Sequence, residues 1–229
     1  GLGLAEASVI MEEINRNGGN SGACHGQMYN MGTLLRHGSE AQKRAYLPKI
    51  ASGELRLQSM GVTEPTTGTD TTKIKTTAVR KGDRYVVNGQ KVWCSGGRYS
   101  NWGILMARTR PLEEAPKHDG ISFFLCPMDL PGIEVRPLKQ MTGEAEFDEV
   151  FFTDVSLPAD CLLGPLHGGW GVGMAVLTSE RGPIEVRFGS AIGENSQIEK
   201  LVRLQRTLDD IGDKPVTVID VSTSEVTVR

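Results

Sequence analysis

Ile74-Lys75-Thr76-Thr77-Ala78-Val79-Arg80-Lys81-Gly82-Asp83-Arg84-Tyr85-Val86-Val87-Asn88-Gly89-Gln90-Lys91-Val92-Trp93-Cys94 separates into three β-rich runs. They are Ile74–Arg80, Arg84–Val87 and Gln90–Cys94, parted by Gly82-Asp83 and Asn88-Gly89. Both dipeptides are hairpin signals, because a two-residue turn needs residues that tolerate positive φ. Similar runs lie on either side: Leu55–Met60 upstream, then Gly103–Arg108, Gly120–Cys126, Ile133–Pro137 and Glu149–Thr153 downstream. Eight short strands with turn signals between them predict an antiparallel sandwich or barrel.

The flanks read differently. Leu4, Ala7, Met11 and Ile14 recur at helical spacing and stop at the Gly18–Gly22 cluster. A second helix is expected from Ala23 to Arg36, ending at Gly38, and a third begins at Ser39, with Gln42 at the capping-box position. Gly168–Glu180 reads as helix again. Ser196 with Glu199 caps a further candidate helix, and Val216–Val228 alternates like a small hairpin. The fold class is therefore α+β: helical residues 1–53, a β domain over 54–160, and a C-terminal segment over 161–229 that begins as helix.

Composition narrows the function classes. A net charge of −3 argues against a nucleic-acid partner. No apolar run approaches the roughly 18 residues of a membrane helix. Cys24, Cys94, Cys126 and Cys161 form no CxxC pair, and the four His are scattered, so neither a metal site nor a disulfide framework is indicated. The chain starts at Gly1 inside an amphipathic pattern, and we expect it to be part of something longer.

Three stretches can carry chemistry. Gly61-Val62-Thr63-Glu64-Pro65-Thr66-Thr67-Gly68-Thr69-Asp70 follows a strand and is rich in hydroxyls and backbone N–H groups that could hold a polar ligand. An ordinary Thr/Gly-rich turn would read the same way. Asn88-Gly89-Gln90-Lys91-Val92-Trp93-Cys94-Ser95 puts an aromatic and a hydroxyl two apart, on one face of a strand. That suits a planar ring needing a stacking partner and a donor, and a core Trp with a buried Ser fits equally. Met141-Thr142-Gly143-Glu144 with Glu149–Val155 reads as a core strand pair. His25 and Gln27 read more simply as packed polar residues than as the border of a ligand cavity, and His118 and His167 as solvent-exposed loop residues.

Taken in this order and spacing, VTEP…G-T-D and NGQK-x-W-x-S resemble the acyl-CoA dehydrogenase family over residues 1 to 193; after Gly193 the match fades. The resemblance implies FAD as cofactor and α,β-dehydrogenation of an acyl-CoA to the 2-enoyl-CoA. Thr63 matches a residue that hydrogen-bonds the flavin, Trp93 the aromatic packed on the ring, and Ser95 the hydroxyl at flavin N5. Met60, Val62 and Cys94 flank these as cofactor-binding positions, and Thr69 matches a contact to the CoA portion. Met60 departs from the aromatic found in many members, and Lys73 from a small residue.

Most members carry the catalytic Glu in the C-terminal domain. Some place it in a Glu-Arg pair after the β domain, which Glu180-Arg181 matches, so the base implied is Glu180, or else a Glu outside this chain with Glu180 an ordinary helix-end residue. The resemblance also implies an electron-transfer flavoprotein as electron acceptor, a homo-oligomer, and a cytoplasmic bacterial location, or the mitochondrial matrix if a transit peptide precedes the chain. Two alternatives share these motifs: a non-catalytic flavin- or acyl-CoA-binding subunit of a heteromer, and a related flavoprotein oxidase or monooxygenase.

Overall fold

The alternation of buried and exposed side chains builds a β domain from one eight-stranded sheet whose two halves enclose a core, with helices against one half. The computed structural model describes residues 4–115, 117–179, 185–187, 218–220 and 227–228. Three helices come first: α1 (Leu4–Arg16), α2 (Gly22–His37) and α3 (Glu40–Ala51). The capping box forms as expected: Gln42 N donates to Ser39 Oγ, and Ser39 N donates to Gln42 Oε1. The same Gln42 amide donates to Asp160 O (2.6 Å) and Leu162 O (2.9 Å), tying the start of α3 to the β domain.

The strands are β1 (Leu57–Gly61), β2 (Thr77–Lys81), β3 (Arg84–Ser95), β4 (Trp102–Arg108), β5 (Ile121–Pro127), β6 (Ile133–Leu138), β7 (Phe147–Pro158) and β8 (Leu162–Leu163). One half pairs in the order β6-β7-β3-β2, the other as β4-β5-β8 with β1 also on β4, and a single β2–β4 pairing joins them. The pairing is mostly antiparallel, but β1–β4 and β2–β4 are parallel. Two cores result. Tyr85, Val87, Leu105, Phe124, Phe152 and Leu157 pack inside the sandwich. Leu34, Leu57, Ile104, Phe123, Leu163 and Val172 pack between β1, β4, β5 and β8 and the helices. Neighbours on β4 and β5 thus face opposite cores, and both strands are buried along nearly their whole length because both faces are covered.

The Gly82-Asp83 hairpin is present, with Lys81 paired to Arg84. The Asn88-Gly89 hairpin is not: β3 runs unbroken through it. Gly89 (φ 151) lets the strand cross Thr76 so closely that a Cβ would lie 2.4 Å from Thr76 Oγ1. Asn88 braces a bulge on the neighbouring strand instead, donating to Asp154 Oδ1 (3.0 Å) and accepting from Asp154 N (2.9 Å). The dipeptide's special backbone serves a close crossing rather than a turn.

α4 (Gly169–Ser179) follows β8. The chain divides into two units, Gly1–Val176 and Leu177–Arg229. In the second, β9 (Glu185–Arg187), β10 (Val218–Asp220) and β11 (Thr227–Val228) form a small sheet in the order β11-β10-β9. β10 and β11 pair antiparallel, as the alternation over 216–228 anticipates. The helix expected after Ser196 lies outside the described residues. Among the described residues no helix is long and apolar enough to cross a membrane.

Candidate functional site

The register of β3 against β7 slips twice. Between Val87 and Gly89 the extra residue is on β7, where Asp154 takes φ 48. Between Lys91 and Cys94 it is on β3, where Trp93 takes φ 60. A left-handed backbone at a bulge re-aims the side chains beyond it. Before the bulge the odd positions Tyr85, Val87 and Lys91 are buried; after it the even position Cys94 is. Trp93 is thereby turned outward, 56% exposed, with its ring edge-on to Phe147 at 5.8 Å. Ser95 is exposed on the same face. Trp93 and Ser95 are therefore not the buried core pair that the same spacing allowed.

The 61–70 loop is tied to that strand from below. Val92 N donates to Thr63 O (2.9 Å), and Lys91 Nζ donates to Val62 O (3.0 Å) and to Glu64 Oε1 (2.8 Å). Lys91 is 0% exposed and Glu64 4%, so this ion pair lies inside the protein. Lys75 N and Thr76 N also donate to the Glu64 carboxylate. Burial alone would raise the Glu64 carboxyl, but Lys91 and these donors overcome it and hold it below its ordinary value. Burial draws Lys91 below its ordinary value, with Glu64 opposing. The two sequence motifs are thus one structural unit, with Thr63 half-buried at its margin.

Asp148 fixes the far side of Ser95. Fully buried, it accepts from Arg98 N (3.0 Å), and the Arg98 guanidinium lies 3.5 Å away. This holds the turn that leaves Ser95 through Gly96, whose φ is 58. Neither Glu64 nor Asp148 stood out in the sequence as a support. Glu64 lies within the quoted loop, but its partner is 27 residues away.

The other expected positions distribute unevenly. Met60 and Val62 are half-buried and pack on the helix-side core. The Cys94 side chain is buried inside the sandwich, so only its backbone could meet a ligand; burial pushes its thiol up to about 12. Thr69 is exposed on the same loop as Thr63. Glu180 and Arg181 lie outside the described residues. Gln27 is the packed polar residue expected: it accepts from Leu57 N (2.9 Å) while Asn30 donates to Leu57 O (3.0 Å), both on β1. His25 is not; it is exposed and lines a cavity beside Ser95. The two loop histidines also make contacts: His118 stacks on Trp170 at 4.2 Å, and His167 Nδ1 lies 2.8 Å from Thr109 Oγ1. Among the described residues no group of His, Cys, Asp and Glu could hold a metal ion.

An exposed indole, a hydroxyl beside it and a hydroxyl-rich loop fixed by a buried ion pair make a surface that can take a flat, polar-edged ring. Comparison with known proteins gives the family. Residues 59–155 match the family described as acyl-CoA dehydrogenase, middle domain, and residues 1–54 the acyl-CoA dehydrogenase, N-terminal domain. The chain is 39% identical over 207 residues to acyl-CoA dehydrogenase IpdE1 of Mycobacterium tuberculosis, covering 90% of this chain and 52% of the relative. Among solved structures, the Tcur3481-Tcur3483 steroid ACAD G363A variant aligns with a TM-score of 0.70 at 30% identity, over 92% of this chain and 50% of that one. The ChsE4-ChsE5 complex from Mycobacterium tuberculosis aligns with a TM-score of 0.59 at 32% identity, over 78% and 42%. The chain spans about half the length of the first two relatives and less of the third. With both domain matches in sequence order, and the second covering the strands that carry the loop and the exposed tryptophan, this chain belongs to the acyl-CoA dehydrogenase family.

Proposed function

We propose that this chain forms the flavin- and thioester-binding part of an FAD-dependent acyl-CoA dehydrogenase. The observation that carries the reading is Trp93, left open at a left-handed bulge with Ser95 on the same face and Thr63 bonded to the adjacent residue. A ring system fits here because the indole is more than half exposed and is held in place by a roughly perpendicular contact with Phe147. Trp93, Ser95 and Thr63 would hold FAD, with Met60, Val62 and the Cys94 backbone as the surrounding wall, and Thr69 would meet the CoA portion.

When bound, FAD supplies the acceptor for the hydrogen that leaves the β-carbon as hydride. The chain's own work concerns the proton and the positioning. A carboxylate, which we assign to Glu180, takes the α-proton. A proton beside a thioester is too weakly acidic for a solvated carboxylate, so the base needs a dry surrounding that raises its pKa. The carbonyl oxygen needs hydrogen-bond donors as charge develops on it. The product is the 2-enoyl-CoA. We further propose that the electrons leave to an electron-transfer flavoprotein, that the complete protein is a homo-oligomer, and that it works in the bacterial cytoplasm. A heteromer is the second reading, because one solved relative is the ChsE4-ChsE5 complex.

The experiment is a titration of the chain with FAD, followed by flavin absorbance and by quenching of tryptophan emission. We expect saturable binding that weakens about tenfold in Trp93→Ala, with unchanged circular dichroism. Anaerobic addition of an acyl-CoA should then bleach the flavin band, and Glu180→Gln should prevent it. A folded chain that binds no FAD, or binds it equally well without Trp93, sinks the reading.

A further inference from the structure

Beside Ser95 the protein is hollow. A cavity of about 460 Å3 opens between the first turns of α2 and the paired ends of β3 and β7, and its wall includes His25, Tyr29, Gln58, Tyr99 and Glu146 with Ser95 itself. That volume falls in the roughly 300–1,000 Å3 range of small-molecule sites. The composition of the wall is informative. No lining residue is Leu, Ile, Val or Met; the large apolar surfaces are aromatic, and the rest is polar or small. An unbranched saturated chain lying here would strip water from polar groups and give them no partner in return. Aromatic walls instead suit a ring.

The polar groups divide according to which way they face. Gln27 and Asn30, on the side of α2 toward β1, commit their amides to the strand's backbone. The His25 imidazole, the Glu146 carboxylate and the Ser95 hydroxyl make no hydrogen bond to any described residue. The His25 ring sits edge-on to Tyr29, with centroids 5.4 Å apart. A donor and an acceptor thus line the same cavity, unpaired within the protein.

We infer that this cavity receives the far part of the acyl group and selects ring-bearing acyl thioesters carrying a hydroxyl or keto oxygen over straight saturated ones, with His25 and Glu146 as the residues that read that oxygen. The inference rests on the acyl-CoA reading above. A hydroxyl can donate to Glu146 or accept from His25, whereas a keto oxygen can only accept. Both variants needed to test this alter exposed side chains, so the fold should persist, which circular dichroism checks.

The test is calorimetric binding of hydroxycyclohexyl-propanoyl-CoA, cyclohexyl-propanoyl-CoA and nonanoyl-CoA, which have equal carbon counts, to the FAD-saturated chain, with CoA alone alongside. We expect the hydroxylated ring to bind about tenfold more tightly than nonanoyl-CoA, with the plain ring between them. The double variant His25→Leu, Glu146→Met should erase that preference while leaving CoA affinity unchanged, and His25→Asn, which keeps a donor, should retain most of it. Equal or tighter binding of nonanoyl-CoA, or a preference that survives the double variant, overturns this inference alone. If neither CoA nor any thioester binds, the acyl-CoA reading falls and this one with it.

Discussion

Lys91 occupies a position that the alternation of β3 gives to an inward-facing side chain, two beyond Gly89 and four beyond Val87. An ammonium there is tolerable only because Glu64 meets it, and a buried pair of this kind is weak as a source of net stability yet costly to break from one side. Glu64→Gln should therefore destabilise the protein by about 3–5 kcal/mol, and Glu64→Gln with Lys91→Met should recover most of that loss. The pH dependence follows in sign. The fold holds the Glu64 carboxyl below its ordinary value of 4.5, so on acidification the unfolded chain takes up the proton first. Its contribution is complete at neutral pH and is lost as the pH falls from about that value through the lower folded one. Urea unfolding across an acid series should show a shallower decline for Glu64→Gln than for the parent; equal slopes would show that the pair is not charged in the fold. In the sequence, Glu64 and Lys91 were legible as members of two motifs but not as partners. Their meeting depends on how the 61–70 loop lies along β3, which no local spacing reports.

The bulge at Trp93 shows the same limit at the level of the strand. Alternation placed Trp93 and Ser95 on one face correctly, but which face is outward depends on the extra residue before Cys94. Asn88-Gly89 misleads for a related reason: residues that permit positive φ mark any unusual backbone, and only the neighbouring strand decides whether it becomes a turn. Arg108, at the end of β4, has a role that spacing could not suggest. Buried, and among the described residues without a carboxylate in hydrogen-bonding contact, it donates to five backbone carbonyls: Ile74 (3.1 Å), Ala115 (3.1 Å), Asp119 (3.1 Å), Thr72 (2.5 Å) and Lys117 (2.9 Å). The planar fork of five N–H groups thereby clamps the segment after Thr69 to the 109–120 loop. Lysine, with three donors, cannot satisfy the same carbonyls. Arg108→Lys should cost about 2–4 kcal/mol, and amide exchange should speed up at Lys73 and Ile74 ahead of the strands. Exchange that accelerates uniformly, or not at all, would leave the clamp without support.

Across the whole domain, β4 and β5 were the elements most legible in the sequence, since runs this dense in apolar residues mean cover on both faces. What covers them was not legible, because the parallel pairing of β1 with β4 and the docking of α2 along β1 join segments distant in sequence. The resulting arrangement makes a specific demand on unfolding. Phe123 and Phe124 are adjacent and both fully buried, yet Phe123 belongs to the helix-side core and Phe124 to the sandwich interior, edge-on to Tyr85 at 4.9 Å. Each Phe→Ala change should cost about 3–5 kcal/mol. Because one strand carries both side chains, loosening it from either side removes support from the other, so the helical layer and the sandwich should melt together. Trp102, packed against Tyr46 of α3 at 5.0 Å, makes tryptophan emission sensitive to the helix-side core, while far-ultraviolet circular dichroism follows the backbone as a whole. In urea the two signals should keep coincident midpoints in both variants, shifted by similar amounts from the parent. If Phe123→Ala instead lost its tryptophan signal first while the strand signal persisted, the helices would be a separately melting layer. The two cores would then not be coupled through β5.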